Sequence, residues 1–287
     1  MPGSPTITMV MPVYNGADYL AAALQSVLAQ DYSDFELICI DDCSADDTPR
    51  ILADHAARDS RIICDRNPQN LGLPATLNRG FAIGRGRYHS WTSHDNLLRP
   101  DMLSTLLDVL QHDEDIGVAY GGYSVIDGDD RILRYHPPRP AAERWFGNPV
   151  GAAFLYRCDV TEALGGYDES LFGAEDYDFW LRAARRFTLQ PVDRDLYLYR
   201  RHDASLTTRK SRQIKDLVQQ VVERELNDVP DGALRAKALL NLVTKDNATF
   251  RAALVGKAFK ANPVTAITTL PALAYHLAKV LASPLRG

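Results

Sequence analysis

The sequence has no long hydrophobic run. No stretch of about 18 uncharged apolar residues occurs in the 287-residue chain, so no transmembrane helix is predicted. The opening residues, MPGSPTITMVMPVYN, contain no basic segment ahead of the apolar run, and we expect no signal peptide there. With 46% hydrophobic and 24% charged residues, the composition is that of a folded domain and excludes a disordered or fibrous chain.

Cysteine is scarce as well. The chain has four cysteines, and they form no paired CxxC motifs with the spacing of a zinc site: Cys39, Cys43, Cys64 and Cys158. Three of them lie in apolar runs. We therefore expect buried free thiols in a reducing compartment, and no structural zinc.

Glycine-rich phosphate-binding motifs are also missing. No GxGxxG follows the first apolar run, which removes the main support for a dinucleotide-binding domain. No GxxxxGK[ST] occurs, which argues against a P-loop nucleotidase, and no GxSxG indicates a serine hydrolase. The chemistry must come from other residue types.

Charge is unevenly distributed along the chain. The net charge is −5, and residues 207–287 contribute +7 because they contain 13 Lys and Arg but only 6 Asp and Glu. Residues 1–206 therefore carry −12, which argues against a nucleic-acid binder and suits a site that holds a cation. The basic region suits contact with an anionic membrane, or it is simply a solvated helical surface.

The first hundred residues alternate between strand and helix patterns. Apolar, β-branched runs at 6–13, 35–40, 61–64 and 87–92 alternate with helical patterns. The first helical pattern follows an N-cap at Asn15 or Asp18, and the others begin near residues 48, 73 and 100. This alternation predicts an α/β fold with a mainly parallel sheet and helices on both faces. Ligands bind beyond the carboxyl ends of such strands, which places Pro12–Asn15, Asp41–Ser44 and Ser93–Asn96 at one edge.

The second hundred residues follow a different pattern. A hairpin is predicted from Ile116–Ile126 and Arg131–Tyr135, then a strand at 150–156. Glu175–Arg186 predicts a helix, with acids in the first turn and arginines in the last. Beyond Leu206 the pattern is helical, so we expect a domain at 1–206 and a helical extension at 207–287. The apolar stretch Pro263–Ala282 is interrupted by polar residues and proline, so we expect it to lie on a surface or pack rather than span a membrane.

Carboxylates at predicted strand and helix ends are the candidates for chemistry. Asp41 and Asp42 follow the second strand, where an acid can accept a hydrogen bond from a nucleoside; a helix cap or turn is the alternative. Ser93–Asn96 follows the fourth strand and offers hard oxygen ligands for Mg²⁺ or Mn²⁺, or is a polar turn. Glu175 and Asp176 begin a helix, where acids also simply complement its dipole.

Six segments in order resemble a known family. They are MPVYNGADYL, ELICIDDCSADDT, NPQNLGLPATLNRG, SWTSHDNLLRP, GGYDESLFGAEDYDFWLR and YRRHDASLT, which together span about residues 6–208. This set resembles family 2 of the inverting nucleotide-sugar glycosyltransferases, which have the GT-A fold. The resemblance implies a metal-assisted transfer of a sugar from a UDP- or dTDP-sugar to a hydroxyl of a glycan or lipid-linked acceptor. It also implies a role in surface polysaccharide assembly.

The resemblance assigns roles to particular residues. Six residues would bind the donor nucleotide: Pro12, Val13, Tyr14, Asp41, Asp42 and Ser93. Among them, Asp42 would accept a hydrogen bond from the N3–H of uracil or thymine. Asp95 matches the last acid of the family's DxD motif and would bind Mn²⁺ or Mg²⁺, with His202 as a further contact. Asp176 would be the general base, and Glu175 and Trp180 would shape the acceptor side.

Three positions depart from the family pattern. Ser93 and Asn96 stand where the family usually has Asp, so one carboxylate of the motif remains, and we expect the metal to bind weakly without the nucleotide. Cys43 replaces a common glycine, which we expect to be harmless packing. The segment Asp203–Arg212 is predicted to close over the diphosphate; a surface loop without a role is the alternative.

Two other functions compete with sugar transfer. The missing carboxylate at Ser93 suits a non-catalytic module that binds sugar nucleotides or glycans. A nucleotidyltransferase would need a glycine- and lysine-rich loop after the first strand, which Met11–Leu20 lacks. We expect no nucleic-acid partner and a cytoplasmic location, with peripheral contact to the inner face of the plasma membrane as an open alternative.

Overall fold

A mixed sheet forms the centre of the fold. The computed structural model describes residues 4–202, 211–245 and 251–282. In chain order the strands are β1 Ile7–Val13, β2 Phe35–Asp41, β3 Ile62–Arg66, β4 Tyr88–Trp91, β5 Leu97–Leu98, β6 Ile116–Ile126, β7 Ile132–His136, β8 Ala153–Arg157 and β9 Thr188–Arg200.

Helices follow most of the early strands. In chain order they are α1 Ala17–Leu28, α2 Thr48–Ala56, α3 Leu73–Ile83, α4 Met102–His112, α5 Cys158–Leu164, α6 Glu175–Ala183, α7 Ser211–Leu226, α8 Ala233–Lys245, α9 Ala252–Ala261, α10 Pro263–Thr268 and α11 Leu270–Ala282. No helix within the described residues is long and apolar enough to cross a bilayer.

The order of strands confirms the predicted α/β architecture. The sheet runs β3-β2-β1-β4-β8-β6-β9-β5, with β7 paired to β6. The first four strands are parallel, so their carboxyl ends lie at the same edge. β8 is antiparallel to both β4 and β6, whereas β6 and β9 are parallel.

Alternating side chains of the sheet build two hydrophobic cores. On β1, Ile7, Met9 and Met11 face one side, where they join buried residues of α1 and α4. Val10 faces the other side and joins buried residues of α3 and α6. Successive residues of a strand point to opposite faces, so one apolar strand fills both cores. The predicted helices on both faces are confirmed.

The contacts divide the chain into two compact units. One contains Met1–Arg144 and Asn148–Ile214, and the other contains Trp145–Gly147 and Lys215–Gly287. The second unit is helical, and in it α8 packs against α9, α10 and α11. The helical C-terminal region matches the sequence pattern. The predicted domain boundary at residue 206 stays a prediction.

All four cysteines are free thiols. Cys39 on the inner strand β2 is buried, as expected, but Cys64 is exposed. The expectation of burial was wrong for Cys64 because β3 is an edge strand on which Ile62 alone is buried, and Cys43 and Cys158 are only partly buried.

Candidate active site

The ends of three parallel strands form one edge of the sheet. The amide of Asp42 donates to the Val13 carbonyl at 2.8 Å, which joins the ends of β2 and β1. The amide of Thr92 donates to the Val10 carbonyl at 3.0 Å, which joins β4 to the other side of β1. The residues that follow β1, β2 and β4 are thereby brought to the same edge, as the sequence predicted.

The segments that follow β1 and β2 are bonded to each other. The Asn15 amide donates to Ser44 Oγ at 2.9 Å, and Asn15 Oδ1 accepts from the Ala45 amide at 2.9 Å. In this neighbourhood Pro12 and Val13 are buried, and Tyr14 is about half exposed. Of the three residues expected to line the base pocket, Tyr14 alone offers its side chain to solvent.

The Asp42 carboxylate is buried and accepts three hydrogen bonds from its own chain. Its Oδ1 accepts from Asn67 Nδ2 and the Leu71 amide, both at 2.8 Å, and its Oδ2 accepts from the Gly72 amide at 2.9 Å. A carboxylate can accept about four hydrogen bonds, so one position remains for a ligand. Asp42 therefore also shapes the segment that leads into α3.

Asp41 is also buried, and both of its carboxylate oxygens have partners within the protein. Its Oδ1 accepts from the Ser44 amide at 2.9 Å, and its Oδ2 forms an ion pair with Arg66 Nη1 at 2.7 Å. Arg66 also donates to the Ser44 carbonyl at 3.0 Å. Asp41 thus holds the turn after β2 in shape.

The backbone of Cys43 is in the left-handed region, with φ 67°. This conformation costs a residue with a Cβ atom about 1–2 kcal/mol of conformational free energy, whereas glycine adopts it freely. The expectation of harmless packing was wrong: the family's usual glycine suits this backbone, and Cys43 strains it.

Asp95 and His202 meet after β4 and β9. Asp95 Oδ2 and His202 Nε2 are 3.0 Å apart, and both side chains are largely buried. The imidazole also lies 5.0 Å from the Tyr19 ring, centroid to centroid. The structure therefore brings together the two predicted metal ligands, although they are 107 residues apart.

Next to that pair, the part of the chain that the structure describes adds no clear third metal ligand. Within the described residues, no cluster of three or more His, Cys, Asp or Glu side chains has the arrangement of a metal site. Asn96, where the family usually has Asp, is already used: its Oδ1 accepts from the Arg200 amide at 2.8 Å. Ser93 is partly buried, and its carbonyl accepts the Asn96 amide at 3.4 Å, which closes the turn.

Arg200 is a residue that the sequence analysis did not single out. Its buried guanidinium donates from Nε to the Asp95 carbonyl at 2.8 Å and lies 4.6 Å from the centroid of the Tyr19 ring. It also forms an ion pair with Asp130 in the β6–β7 turn. Arg200 thus fixes the backbone that carries Asp95. Its position in the YRRHDASLT segment was the available signal.

His94 packs against the segment that follows β1. A Cβ atom on Gly16 would lie 2.5 Å from His94 Cδ2, so this contact requires glycine at position 16. Burial lowers the pKa of His94, which favours the neutral imidazole. His94 is therefore a packing link between two loops of the edge.

Asp176 begins α6 and is held by a single side-chain donor. Its Oδ2 accepts from Asn148 Nδ2 at 2.9 Å, and its Oδ1 accepts from the Tyr177 amide at 2.6 Å. Asn148 Oδ1 in turn accepts from the Val150 amide at 3.1 Å, which fixes the amide group. Burial raises the pKa of Asp176 to about 6, so burial outweighs the helix dipole that the sequence analysis expected to dominate.

The neighbours of Asp176 have different surroundings. Burial, followed by the Asp176 charge, raises the pKa of Glu175, and Glu175 Oε2 accepts from the Gly173 amide at 2.5 Å. Asp178 is buried and forms an ion pair with Arg182 Nε at 2.7 Å. Trp180 is buried among aromatic rings, with Phe154 at a centroid distance of 4.8 Å. The structure thus places Trp180 in the core, and its role on the acceptor side stays a prediction.

One predicted segment cannot be placed. The proposed cover over the diphosphate, Asp203–Arg212, lies outside the described residues except for its last two positions.

Comparison with known proteins identifies the family. The sequence model described as Glycosyl transferase family 2 matches residues 8–164, more than half of the chain. The chain belongs to glycosyl transferase family 2. It is a glycosyltransferase, and the family that the six motifs indicated is confirmed.

Relatives with similar sequences carry the same class name. An uncharacterized glycosyltransferase of Rickettsia typhi is 30% identical over 74% of this chain and 69% of the relative. Another, from Rickettsia prowazekii, is 30% identical over 71% of this chain and 66% of the relative. A third, from Rickettsia conorii, is matched over only 31% of its own length.

Solved structures show the same fold at low sequence identity. TarS 1–349 of S. aureus in complex with UDP-GlcNAc has a TM-score of 0.71 and 16% identity, with 96% of this chain and 88% of that chain covered. The mannosyltransferase PcManGT from Pyrobaculum calidifontis, in complex with GDP-Man and Mn²⁺, has a TM-score of 0.65 and 18% identity. That match covers 99% of this chain and 83% of the other. These likenesses confirm the GT-A fold.

Proposed function

We propose that this glycosyltransferase moves a sugar from a UDP- or dTDP-sugar to a hydroxyl of a glycan or lipid-linked acceptor, with inversion at the anomeric carbon. The observation that carries the proposal is the Asp176 carboxyl, which is held by Asn148 and has its pKa raised to about 6 by burial. A carboxylate with a pKa slightly below neutrality is ionised at pH 7 and still basic enough to take a proton.

The donor nucleotide is assigned to the edge formed by β1, β2 and β4. Tyr14 offers an exposed ring next to the segment after β2, and Asp42 keeps one acceptor position for a base N–H. Ligands of α/β sheets bind beyond the carboxyl ends of the strands, which supports this location. The TarS structures hold UDP or UDP-GlcNAc, whereas the mannosyltransferase structure holds GDP-Man, so the neighbours support a nucleotide-sugar donor and the choice of base depends on Asp42.

The Asp95 and His202 pair fits a divalent cation that arrives with the donor. A carboxylate oxygen and an imidazole nitrogen are 3.0 Å apart, and they are two ligands rather than a full set. A bound Mn²⁺ or Mg²⁺ would neutralise the charge that develops on the leaving diphosphate. Arg200 holds the backbone of Asp95, so the pair is positioned before the donor binds.

Asp176 accepts the proton of the acceptor hydroxyl while the sugar–phosphate bond breaks. In a single displacement the acceptor oxygen attacks the face opposite the leaving group, which inverts the anomeric centre. Asn148 keeps the carboxylate oriented through the transfer. General-base assistance of this kind contributes about 10²–10⁴-fold to the rate.

A donor panel with product analysis tests the proposal. The full chain is incubated with Mn²⁺, a mixed glycan acceptor pool and either UDP-, dTDP- or GDP-sugars, and the anomeric configuration of the product is determined by NMR. We expect transfer from a uridine or thymidine donor and inversion. Transfer with retention would contradict the single displacement, and transfer from GDP-sugars alone would contradict the donor assignment.

A further inference from the structure

The helices α10 and α11 expose an apolar surface. Val264 is 71% exposed, Ile267 56%, Leu270 44% and Tyr275 75%. Ala274 and Ala278 on the same helices are also exposed. We refer to Val264, Ile267, Leu270 and Tyr275 as the outer face.

The opposite side of these helices already has its packing partners. Ala266, Leu273 and His276 are buried, and α8 packs against both helices. A surface helix normally turns polar residues to water and apolar residues inward. Here both sides are apolar, so the outer face is matched to a non-aqueous neighbour.

The part of the sequence that contains the outer face is rich in basic residues. Residues 247–287 contain no Asp or Glu and five basic residues, Arg251, Lys257, Lys260, Lys279 and Arg286. Two of these, Arg251 and Lys257, form ion pairs with Glu223, and Lys260 is exposed. Even with Glu223 counted, basic residues outnumber acids here, and an excess of positive charge suits an anionic partner.

A second exposed apolar site in the chain has acidic residues nearby. Ile132 and Leu133 on β7 are 57% and 60% exposed, close to the values of the outer face. They follow the acidic turn Asp127–Asp130, which contains three aspartates. Arg131 and Arg134 flank them, so Ile132 and Leu133 form a comparison site of similar exposure among charges of both signs.

We propose that the outer face binds in the interface of a membrane rich in anionic lipids. Val264, Ile267 and Leu270 would enter the acyl boundary, and Tyr275 would lie at the headgroup level, which suits its ring and hydroxyl. Lys260 would lie among the anionic headgroups. The helices lie in the plane of the interface, since α11 has 13 residues and about 20 are needed to span.

Vesicle flotation of the full chain tests the surface. Vesicles of phosphatidylcholine alone are compared with vesicles containing about one third phosphatidylglycerol, at low and high salt. The double variant Ile267→Glu/Tyr275→Glu places acids on the outer face, and Ile132→Glu/Leu133→Glu is the matched control at the other exposed site. All four side chains are exposed, so thermal unfolding of both variants should match that of the parent.

We expect the parent and the control variant to float with the anionic vesicles and the outer-face variant to float at least tenfold less. Flotation should weaken in high salt and with phosphatidylcholine alone. Equal flotation of parent and outer-face variant would overturn the proposal, as would a parent that stays at the bottom of the gradient with both vesicles. A parent dimer that the outer-face variant converts to a monomer, without flotation, would show that a second copy covers this face. Sugar transfer is not the readout, so the result is independent of the proposed activity.

Discussion

At the level of single residues, the Asp176 carboxyl is subject to opposing influences. Burial raises its pKa, whereas the Tyr177 amide and the Asn148 side chain favour the ionised form and lower it. The unfolded chain has an ordinary Asp pKa of about 4, so the native state holds this proton more tightly. The protein is therefore expected to become less stable as the pH rises from about 4 through 6 and Asp176 ionises. At neutral pH the ionised carboxylate lowers the free energy of unfolding.

The first prediction concerns Asp176→Asn. We expect sugar transfer to fall by about 10²–10⁴-fold because the base is gone. Because a buried charge is removed, the free energy of unfolding at pH 7.5 should rise by about 1–3 kcal/mol. Initial rates and urea unfolding measure the two effects.

Asp178→Asn is the control for Asp176→Asn. It removes the charge of a buried ion pair with Arg182, so stability should fall. Near-normal transfer by Asp176→Asn together with loss of transfer in Glu175→Gln would move the base to Glu175.

The second prediction concerns Asn148→Ala. Loss of the Nδ2 donor should raise the pKa of Asp176, because the hydrogen bond favours the ionised form. The acid limb of the kcat/KM profile should then shift upward by roughly 0.5–1 pH unit.

Asn78→Ala is the matched control for Asn148→Ala. Asn78 also bridges two loops, through Nδ2 to the Tyr167 carbonyl at 2.9 Å, but it does not bond to a titratable group of the proposed site. It should lower stability without moving the acid limb. An unmoved limb in Asn148→Ala would show that Asn148 is only structural.

The order of the sequence motifs pointed to Asp42, Asp95 and Asp176 as candidates. It did not reveal the residues that form hydrogen bonds with them. Asn148 is 28 residues from Asp176, and the Arg200 amide is 104 residues from its Asn96 partner. Neither pair has a local spacing signal. Such contacts become visible only when the sheet brings distant segments together.

At the level of elements, β9 is the longest of those that the sequence analysis missed. The strand is 13 residues long and contains Pro191 and three charged residues in a row, which weaken a strand pattern. Its pairing with β6 shifts register around Gly121 and Gly122, and this irregularity accommodates the atypical segment. The missed strand nonetheless carries Arg200 and leads to His202. By contrast, α3 begins at residue 73 as predicted, because its apolar spacing is regular.

The third prediction concerns the turn after β2. Cys43→Gly removes the strain of a left-handed backbone, which stabilises the folded state by about 1–2 kcal/mol. Glycine also makes the unfolded chain more flexible, which costs about 0.5–1 kcal/mol. We expect a net gain in unfolding free energy of roughly 0.5–1 kcal/mol, measured by urea unfolding under reducing conditions.

Cys158→Gly is the control for Cys43→Gly. Cys158 begins α5 without a positive φ, so glycine there should lower stability. Equal changes in the two variants would show that the backbone of Cys43 carries no strain.

At the level of the whole molecule, charge is divided between an acidic region and a basic one. The net charge of −12 on residues 1–206 attracts cations to the region that contains the proposed site. Such long-range attraction does not by itself supply the ligands that coordinate a metal ion. The composition predicted this division and the C-terminal helices. It did not predict the boundaries of the two compact units. Trp145–Gly147 belongs to the second unit although it lies far in sequence from the rest of that unit.

The fourth prediction is that Mn²⁺ binds tightly only together with the nucleotide. Asp95 and His202 supply two ligands, and the diphosphate supplies most of the negative charge. Calorimetry should show no micromolar Mn²⁺ binding to the protein alone and clear binding once UDP is present.

Ser93→Asp should tighten the binding of Mn²⁺ to the protein alone, because it restores a carboxylate in the same turn. Asp95→Asn should abolish the nucleotide-dependent binding. Micromolar binding to the unmodified protein without UDP would contradict the prediction.

The close approach of Gly16 to His94 has a consequence for protein engineering. A Cβ at position 16 would collide with the imidazole, so the segment after β1 and the turn that carries Asp95 cannot be altered independently. A mutant library that diversifies residue 16 to change donor preference would also displace the proposed cation ligand. The same Cβ would lie 2.9 Å from Val13 Cγ1, so positions 13, 16 and 94 should be randomised together, and a larger residue at 16 needs smaller side chains at both other positions.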